Sequence, residues 1–302
     1  MFESAPSALK EKFVPTTSSY VSKQDDLEIN LTTWPTSVEP ARGVVQIAHG
    51  LAEHGSRYAR FAAALNAAGF HAVASDHRGH GDTITDTPGD LGPTGFPALW
   101  ADIEQLGEAL LADYPDLPLF LFAHSMGSFA AQHMLIERSD LYEGVVLSGS
   151  TAIDVTAAAM ADSPAADLSV FNSAFEHRTG YEWLSRDEAE VDAYVANPLC
   201  GFDLPAATVP ALFVEADTLA DPRKLGEIRS DLPLLLASGS EDPLAGGGQL
   251  IELLGSRYRE AGLSDVTVHV YPGARHEILN ETNRDEVTAD VVGWLTARAL
   301  QN

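Results

Sequence analysis

The chain has 302 residues, of which 45% are hydrophobic and 21% are charged, a composition typical of a globular protein with one large core. Its 44 acidic residues against 18 lysines and arginines give a net charge of −26. This argues against nucleic acid and anionic lipid headgroups as partners, because both are bound by clustered basic side chains. No apolar run approaches ~20 residues, and residues 1–13 lack the basic start and apolar run of a secretory signal, so we expect a cytoplasmic protein without a transmembrane segment.

Short apolar runs alternate with longer helical patterns along the chain. The first pattern, from Tyr20 to Trp34, predicts two strands that form an antiparallel hairpin at the edge of a sheet. The elements predicted after it are strand 43–48, helix 58–68, strand 71–75, helix 99–112, strand 117–123, helix 126–137, strand 144–147, strand 234–237, strand 266–270 and helix 285–299. This alternation predicts a mainly parallel central sheet flanked by helices.

Residues 151–231 interrupt the alternation with an irregular and locally apolar segment. Structureless loops of this length are rare in compact domains, and those that occur usually form lids or binding elements. We therefore predict a mainly helical cap at 151–231, inserted into a core made of residues 1–150 and 232–302. The alternative is that the segment is an ordinary helical part of the core. The cap residues expected to contact substrate are Met160, Phe171 and Phe175.

A serine stands where the apolar strand 117–123 gives way to a helix. The sequence at 123–127 reads A-H-S-M-G. In a sharp strand-to-helix turn, the residues two before and two after the serine must be small to avoid the neighbouring strand and helix. Such a turn exposes the serine hydroxyl at the edge of the sheet, so Ser125 is the predicted nucleophile.

An acid and a base follow later in the chain, in the order that this kind of serine hydrolase requires. Asp242 comes just after strand 234–237, and His276 comes just after strand 266–270. Both therefore lie beyond the carboxyl ends of parallel strands, where open α/β sheets place their active sites. We predict that His276 takes the proton from Ser125, and that Asp242 orients the imidazole and stabilises its cation.

Other interpretations of the acid and the base stay open at this point. Asp242 could be a turn residue before proline, in which case Glu241 and Asp217 are the next candidates for the acid. His276 could be a histidine of a surface loop. His269 fits the base role poorly, because it lies within a predicted strand.

Two backbone N–H groups are expected to stabilise the oxyanion. The N–H of Met126 directly follows the nucleophile, at the positive end of a helix dipole. The second donor should come from the loop after strand 43–48, where His49-Gly50-Leu51 stands, so we assign the N–H of Leu51. Each such donor is worth roughly 3–4 kcal/mol in a hydrolase.

Five motifs stand in order over residues 41–294. They are His49-Gly50-Leu51-Ala52-Glu53-His54 with Arg57-Tyr58, Asp76-His77-Arg78-Gly79-His80-Gly81, His124-Ser125-Met126-Gly127, Gly239-Ser240-Glu241-Asp242-Pro243 and Gly273-Ala274-Arg275-His276-Glu277. Together they resemble the monoacylglycerol lipase and bacterial lysophospholipase group of the α/β-hydrolase superfamily. The resemblance implies an acyl-ester hydrolase with a hydrophobic cap over an acyl tunnel, and it assigns the same catalytic and oxyanion roles. Ala123 departs from the glycine that is usual in this group.

Three functions are considered for a chain with these motifs. The favoured one is hydrolysis of carboxylic esters, above all monoacylglycerols or related lipid esters such as lysophospholipids, because an apolar cap gives a long acyl chain a dry groove. A serine peptidase of aminopeptidase type would need acidic residues for the substrate amine. A non-catalytic binding protein on the same fold would be expected to lack a triad member. The cap acids that could serve a peptidase are Glu176, Glu182 and Asp187.

Two further features bear on metal binding and environment. The dense histidines and acids at 49–57 and 76–81 could bind zinc, but we interpret them as braces, because the predicted chemistry needs no metal or cofactor.

The acidic surface fits either salt adaptation or an ordinary acidic enzyme. Cys200, the only cysteine, is expected to be a buried structural thiol in a chain without an internal disulfide.

Overall fold

The computed structural model describes residues 15–160 and 168–300, and at its centre lies one eight-stranded sheet. The strands are β1 (Thr16–Val21), β2 (Glu28–Trp34), β3 (Gly43–Ala48), β4 (Phe70–Ser75), β5 (Leu119–His124), β6 (Gly144–Ser148), β7 (Leu234–Gly239) and β8 (Val266–Tyr271). They lie in the order β1-β2-β4-β3-β5-β6-β7-β8. The hairpin β1–β2 is antiparallel and pairs antiparallel with β4, whereas the strands from β4 to β8 run parallel. The predicted edge hairpin and parallel sheet are confirmed.

Helices connect the strands and cover the sheet. The α-helices of the described residues are α1 (Ala59–Ala67), α2 (Phe96–Asp113), α3 (Met126–Arg138), α4 (Ile153–Met160), α5 (Glu188–Ala196), α6 (Thr208–Ala211), α7 (Pro222–Leu225), α8 (Gln249–Glu260) and α9 (Arg284–Ala299). Short 3₁₀ turns lie at Gly55–Tyr58, Gly81–Thr83, Ser139–Leu141, Leu168–Asn172, Glu182–Leu184, Ala216–Ala220 and Ile278–Asn280. Within the described ranges, no helix is both long and apolar enough to cross a bilayer.

Strand β5 is buried on both faces, and this explains its unbroken apolar sequence. Leu121 and Ala123 belong to a core shared with α2, α3 and α8, whereas Phe120 and Phe122 belong to a second core shared with α1 and α9. All four side chains are fully buried. The carboxyl end of β5 is therefore held rigidly in the middle of the sheet.

Helix α8 is the long helix that the sequence elements above do not include. Its buried residues Ile251, Leu254 and Tyr258 have the spacing of one helix face. Three consecutive glycines, 246–248, precede it, and all three have positive φ. A run of glycines is typical of a loop, so the sequence gives no sign that a helix begins directly after it.

The segment between β6 and β7 carries helices α4 to α7. It covers the carboxyl ends of the strands, because its Trp183 and Leu184 share a cavity wall with Ser125. The boundaries 151–231 for a separate cap stay a prediction. Residues 161–167 of that cap, and residues 1–14 and 301–302 of the predicted core, lie outside the described residues.

Candidate active site

Ser125 stands in a sharp turn between β5 and α3. Its φ of 50° and ψ of −120° are unusual for a residue with a side chain. The N–H of Ser125 donates to the Ser148 carbonyl at 2.9 Å, and the N–H of Gly127 donates to the His49 carbonyl at 3.1 Å. A Cβ on Gly127 would lie 2.5 Å from the Ala48 carbonyl oxygen, so only glycine fits there. The turn places Ser125 at the N-terminus of α3 and in the wall of a cavity.

Asp242 and His276 meet beyond the carboxyl ends of β7 and β8. Nδ1 of His276 donates to Oδ2 of Asp242 at 2.9 Å, and both side chains are buried. The same carboxylate accepts hydrogen bonds from the Ser238 hydroxyl at 3.1 Å and from the Leu244 N–H at 2.9 Å. Because the proton on Nδ1 points at Asp242, Nε2 of His276 is left as the basic nitrogen.

The loops that carry Asp242 and His276 pack directly against each other. The N–H of Glu241 donates to the Ala274 carbonyl at 2.9 Å. A Cβ on Gly239 would lie 2.0 Å from that carbonyl oxygen. Glycine is therefore required at this position by close approach, and this approach brings the loops of Asp242 and His276 together.

Burial and charge act in opposite directions on this pair. Burial disfavours the His276 cation, but the Asp242 carboxylate and its hydrogen bond outweigh this effect, so the pKa of His276 is raised above 6.5. Burial also disfavours the Asp242 anion, yet the charge and hydrogen bond of His276 hold the pKa of Asp242 below 3.8. Asp242 is therefore ionised at neutral pH and stabilises a proton on His276.

The alternative acids and the alternative base lie away from this pair. Glu241 and Asp217 are exposed to solvent. His269 lies within β8, its side chain is 43% exposed, and its Nδ1 is 3.8 Å from a carboxylate oxygen of Asp290. None of the three alternatives belongs to the described wall of the cavity that Ser125 and His276 share.

The His276 ring is held between two aromatic rings. Its centroid lies 4.8 Å from that of His124 and 4.8 Å from that of Trp183. The backbone adds two bonds, from the His276 N–H to the Trp183 carbonyl at 3.3 Å and from the Glu277 N–H to the Leu184 carbonyl at 2.8 Å. The sequence alone does not predict the contact of Trp183 with His276, because that contact is purely tertiary.

The loop after β3 is fixed by polar contacts on both sides of the Gly50 peptide. Nδ1 of His49 donates to the Gly50 carbonyl at 2.7 Å, while its Nε2 accepts from the His77 N–H at 2.9 Å. Burial lowers the pKa of His49 to about 4, so the ring stays neutral in this tautomer. The Gly50 N–H donates to Oε1 of Glu53 at 2.6 Å. Because C=O and N–H of a trans peptide point in opposite directions, the bond on the Gly50 carbonyl also restricts the direction of the Leu51 N–H.

Arg57 joins this loop to the loop of His276. Its guanidinium donates to both carboxylate oxygens of Glu277, at 2.7 and 2.8 Å, and also to Glu53. Burial disfavours both carboxylate anions, but Arg57 holds the pKa of Glu53 at about 2 and that of Glu277 below its usual range. The motifs predict ion-pair bracing here. The partner Glu277, 220 positions later, has no local sequence signal.

Ser125 and His276 share the wall of a cavity of about 570 Å³. The predicted oxyanion residues Leu51 and Met126 line the same cavity. The other lining side chains from the covering segment are mostly apolar, and they include Met160, Phe171, Trp183, Leu184, Leu212 and Phe213. The cavity wall is therefore mainly apolar, and its polar members include Ser125 and His276.

Two residues of the segment between β6 and β7 have other surroundings. Phe175 is not part of the described cavity wall; the Arg275 guanidinium lies over its ring, 4.4 Å from the centroid. Cys200 is buried beside Trp183 and Tyr194, as expected of a structural thiol. Burial raises the pKa of Cys200 to about 12, so its thiol is not ionised at neutral pH.

Comparison with known families agrees with this architecture. The family described as Hydrolase_4, serine aminopeptidase S33, matches residues 39–283, a span that includes Ser125, Asp242 and His276. The chain belongs to this family. The matched span also includes the segment between β6 and β7.

Several curated relatives of this family member are lipases. The chain is 30% identical to the monoacylglycerol lipase of Mycolicibacterium smegmatis, over 87% of this chain and 91% of the relative. It is 28% identical to the monoglyceride lipase of Homo sapiens, over 88% of this chain and 86% of the relative. Both alignments cover nearly the whole of each protein, so the similarity is not confined to the motifs.

Solved structures show the same fold. A thermostable carboxyl esterase from Bacillus coagulans, solved with glycerol, superposes with a TM-score of 0.82 at 27% identity, over 94% of this chain and 99% of the other. A soluble variant of the monoglyceride lipase of Saccharomyces cerevisiae gives a TM-score of 0.74 at 20% identity, over 97% and 99%. The family member described here therefore has the predicted α/β-hydrolase fold, and it is a carboxylic-ester hydrolase.

Proposed function

We propose that the chain hydrolyses lipid carboxylic esters, with monoacylglycerols as the leading substrates, through Ser125, His276 and Asp242. The observation that carries the proposal is the buried His276–Asp242 pair, joined at 2.9 Å, in one cavity with a serine on a strained turn. A buried acid–base pair that shares a cavity with a serine hydroxyl is the arrangement that acyl transfer to serine requires.

The reaction proceeds in two halves. Nε2 of His276 accepts the hydroxyl proton while Oγ of Ser125 attacks the carbonyl carbon of the ester. The N–H groups of Leu51 and Met126 stabilise the negative oxygen of the tetrahedral intermediate. His276 then protonates the departing alcohol as the carbon–oxygen bond breaks, which leaves Ser125 acylated. Water, deprotonated by His276, attacks the acyl-enzyme in the same way and releases the carboxylic acid.

A long acyl chain is supported by the apolar wall. Side chains such as Phe171, Leu212 and Phe213 offer hydrophobic contact and no charge to an acyl chain that leads away from Ser125. The relatives named as monoacylglycerol and monoglyceride lipases support the same substrate class. The expected partner is therefore a small lipid or acyl ester.

An aminopeptidase activity is the second candidate, because the family description names one. The acids that would bind a substrate amine are engaged elsewhere or lie in solvent. Glu182 accepts bonds from Thr179 and Asn172, Asp187 caps α5 and pairs with Arg284, and Glu176 is exposed. None of these three acids lies in the described cavity wall, which favours an ester over a peptide.

The test is a substrate panel with a matched pair of serine variants. We expect turnover of monoacylglycerol and of p-nitrophenyl esters of long acyl acids, weak or no turnover of an aminoacyl anilide, and covalent labelling by a fluorophosphonate. Ser125→Ala should abolish labelling and lower kcat by roughly 10⁴–10⁶. Ser264→Ala, which removes an exposed hydroxyl, should change neither. Undiminished ester turnover in Ser125→Ala would overturn the mechanism, and faster anilide than ester turnover would favour the peptidase.

A further inference from the structure

The residue after the predicted oxyanion donor has a strained backbone. Ala52 has a φ of 53°, in the left-handed region that residues with a side chain rarely occupy, and it is fully buried. A conformation of this kind persists only where the surroundings impose it. Contacts with neighbouring residues must therefore hold Ala52 in this conformation.

Two donors from the covering segment bind the Ala52 carbonyl. The hydroxyl of Tyr194, near the end of α5, donates at 2.8 Å, and the N–H of Gly201 donates at 3.0 Å. Tyr194 is 3% exposed, with the Arg57 guanidinium 4.9 Å from its ring centroid and the Tyr181 ring at 5.1 Å. The phenol is thus fixed by packing, and its hydroxyl has a defined direction.

We propose that Tyr194 is a positioning residue, supplied by the cap, that holds the Ala52 peptide and thereby keeps the N–H of Leu51 directed into the oxyanion hole. The Gly50 peptide is anchored by contacts within its own loop and from the strand β4 side. Ala52 is anchored from the opposite side, by the cap. The inference deepens the proposed function and rests on it, because it assumes that Leu51 donates to the oxyanion.

Loss of the Tyr194 hydroxyl should affect the transition state more than substrate binding. In Tyr194→Phe, the Ala52 carbonyl keeps only the bond from the Gly201 N–H, so Ala52 relaxes part of the way toward negative φ and the Leu51 N–H tilts away from the developing oxyanion. We expect kcat for a long-chain p-nitrophenyl ester to fall about tenfold with KM within about twofold, less than the 10²–10³ lost when a donor is removed outright. Inhibition by an aryl boronic acid should weaken by a similar factor, because its tetrahedral adduct places an oxygen in the oxyanion hole. The acid limb of the pH–rate profile should not move.

A kcat within twofold of the wild type would overturn the inference. So would a loss that appears in KM instead of kcat, or a shift of the acid limb, since either outcome would indicate damage elsewhere in the site.

Ala52→Gly provides a rescue test. Glycine adopts positive φ without strain, so the loop should depend less on its cap anchor. In the Ala52→Gly background, Tyr194→Phe should lower kcat by about twofold instead of tenfold. Equal losses in the two backgrounds would overturn the link through Ala52. If Tyr194→Phe alone does not fold, the kcat of the double variant is compared with that of Ala52→Gly. A twofold loss supports the inference, and a tenfold loss overturns it.

Tyr142→Phe is the matched control for loss of a buried phenol. Tyr142 is fully buried and donates to Oε1 of Gln46 at 2.9 Å, within the core near the amino end of β6. Both variants should lower Tm, but only Tyr194→Phe should lower kcat. A tenfold loss of kcat in Tyr142→Phe would show that lost stability explains the effect, and would overturn the inference.

Fluorophosphonate labelling separates this inference from the proposed function. If wild-type protein is not labelled at Ser125, the proposed function fails and the inference falls with it. If wild type is labelled and turns over esters while Tyr194→Phe behaves identically, only the inference fails.

Discussion

His276 is a buried imidazole whose charge is controlled chiefly by the Asp242 carboxylate. Burial alone lowers the pKa of a histidine, but the Asp242 carboxylate reverses the direction here. The base must be neutral to accept the Ser125 proton, so a raised pKa moves the onset of activity to higher pH. A histidine with an ordinary pKa would place that onset near ~6.5.

We predict that kcat/KM rises with pH along a single acid limb with its midpoint above 6.5. The measurement is a pH-stat titration of acid released from an ester between pH 5 and 9. Asp242→Asn should move the midpoint to lower pH and reduce kcat by about 10⁴, because it removes the anion that stabilises and orients the imidazole. Glu241→Gln, a change at an exposed neighbouring acid, should alter neither. A flat profile from pH 5 to 8 would contradict the role of His276 as base.

At the scale of elements, the site is assembled from loops that follow four strands. β3 leads to the proposed oxyanion loop, β5 to Ser125, β7 to Asp242 and β8 to His276. Parallel strands bring these loops to one edge of the sheet, but it is side chains that fix the loops against each other. Arg57 is the principal cross-link, because it pairs with Glu53 of one loop and Glu277 of another.

We predict that Arg57→Met destabilises the fold by about 3–5 kcal/mol, because it leaves two buried carboxylates without their cation. Arg60→Met is the matched control. Its side chain is 46% exposed and pairs with Glu190, so its loss should cost at most about 1 kcal/mol. Urea unfolding at pH 7 measures both. The Arg57→Met cost should shrink at pH 5, where the two carboxylates can take up protons, and equal costs for the two variants would contradict the cross-link.

At the scale of the whole molecule, buried neutral histidines make the fold sensitive to acid. Burial lowers the pKa of His49, His124 and His133 to about 4 and that of His80 to about 3. It also places the pKa of His77 well below 6.5. The unfolded chain takes up protons at these residues near pH 6.5 and the folded chain does not, so stability is lost as pH falls from 6.5 toward 4. His276 acts in the opposite direction, since its raised pKa contributes stability below 6.5 that is lost as pH rises through its folded pKa.

We therefore predict that the free energy of unfolding falls steadily between pH 6.5 and 4.5, before the paired carboxylates of the site are protonated. His133 offers a clean test, because it stacks on Trp100 at 4.4 Å, away from the site, with its Nε2 buried and unpaired among the described residues. His133→Phe should reduce the slope by up to about 1.4 kcal/mol per pH unit. Denaturant unfolding at several pH values measures the slope, and an unchanged slope in the variant would contradict the assignment.

The order of the strands, the helices α1, α2, α3 and α9, the turn at Ser125 and the places of Asp242 and His276 after later strands all follow from the sequence, whereas helix α8 does not. These features depend on local patterns, namely apolar runs, glycines and residues at strand ends, and local physics leaves them few alternatives. The sequence also predicted Leu51 and Met126 as donors, because backbone N–H groups are placed by chain position. That assignment stays a prediction that the structure is consistent with.

Only the tertiary structure decided what surrounds the reactive groups. The choice of Asp242 over its exposed neighbour depends on a 2.9 Å contact with His276, and the contact depends on the close approach that Gly239 permits. Three contacts each join residues far apart in the chain. They are the ring contact between Trp183 and His276, the ion pair between Arg57 and Glu277, and the hydrogen bond from Tyr194 to Ala52. Such pairs leave no periodicity or spacing in one sequence, because packing and low-dielectric charge pairing act between surfaces that meet only after folding.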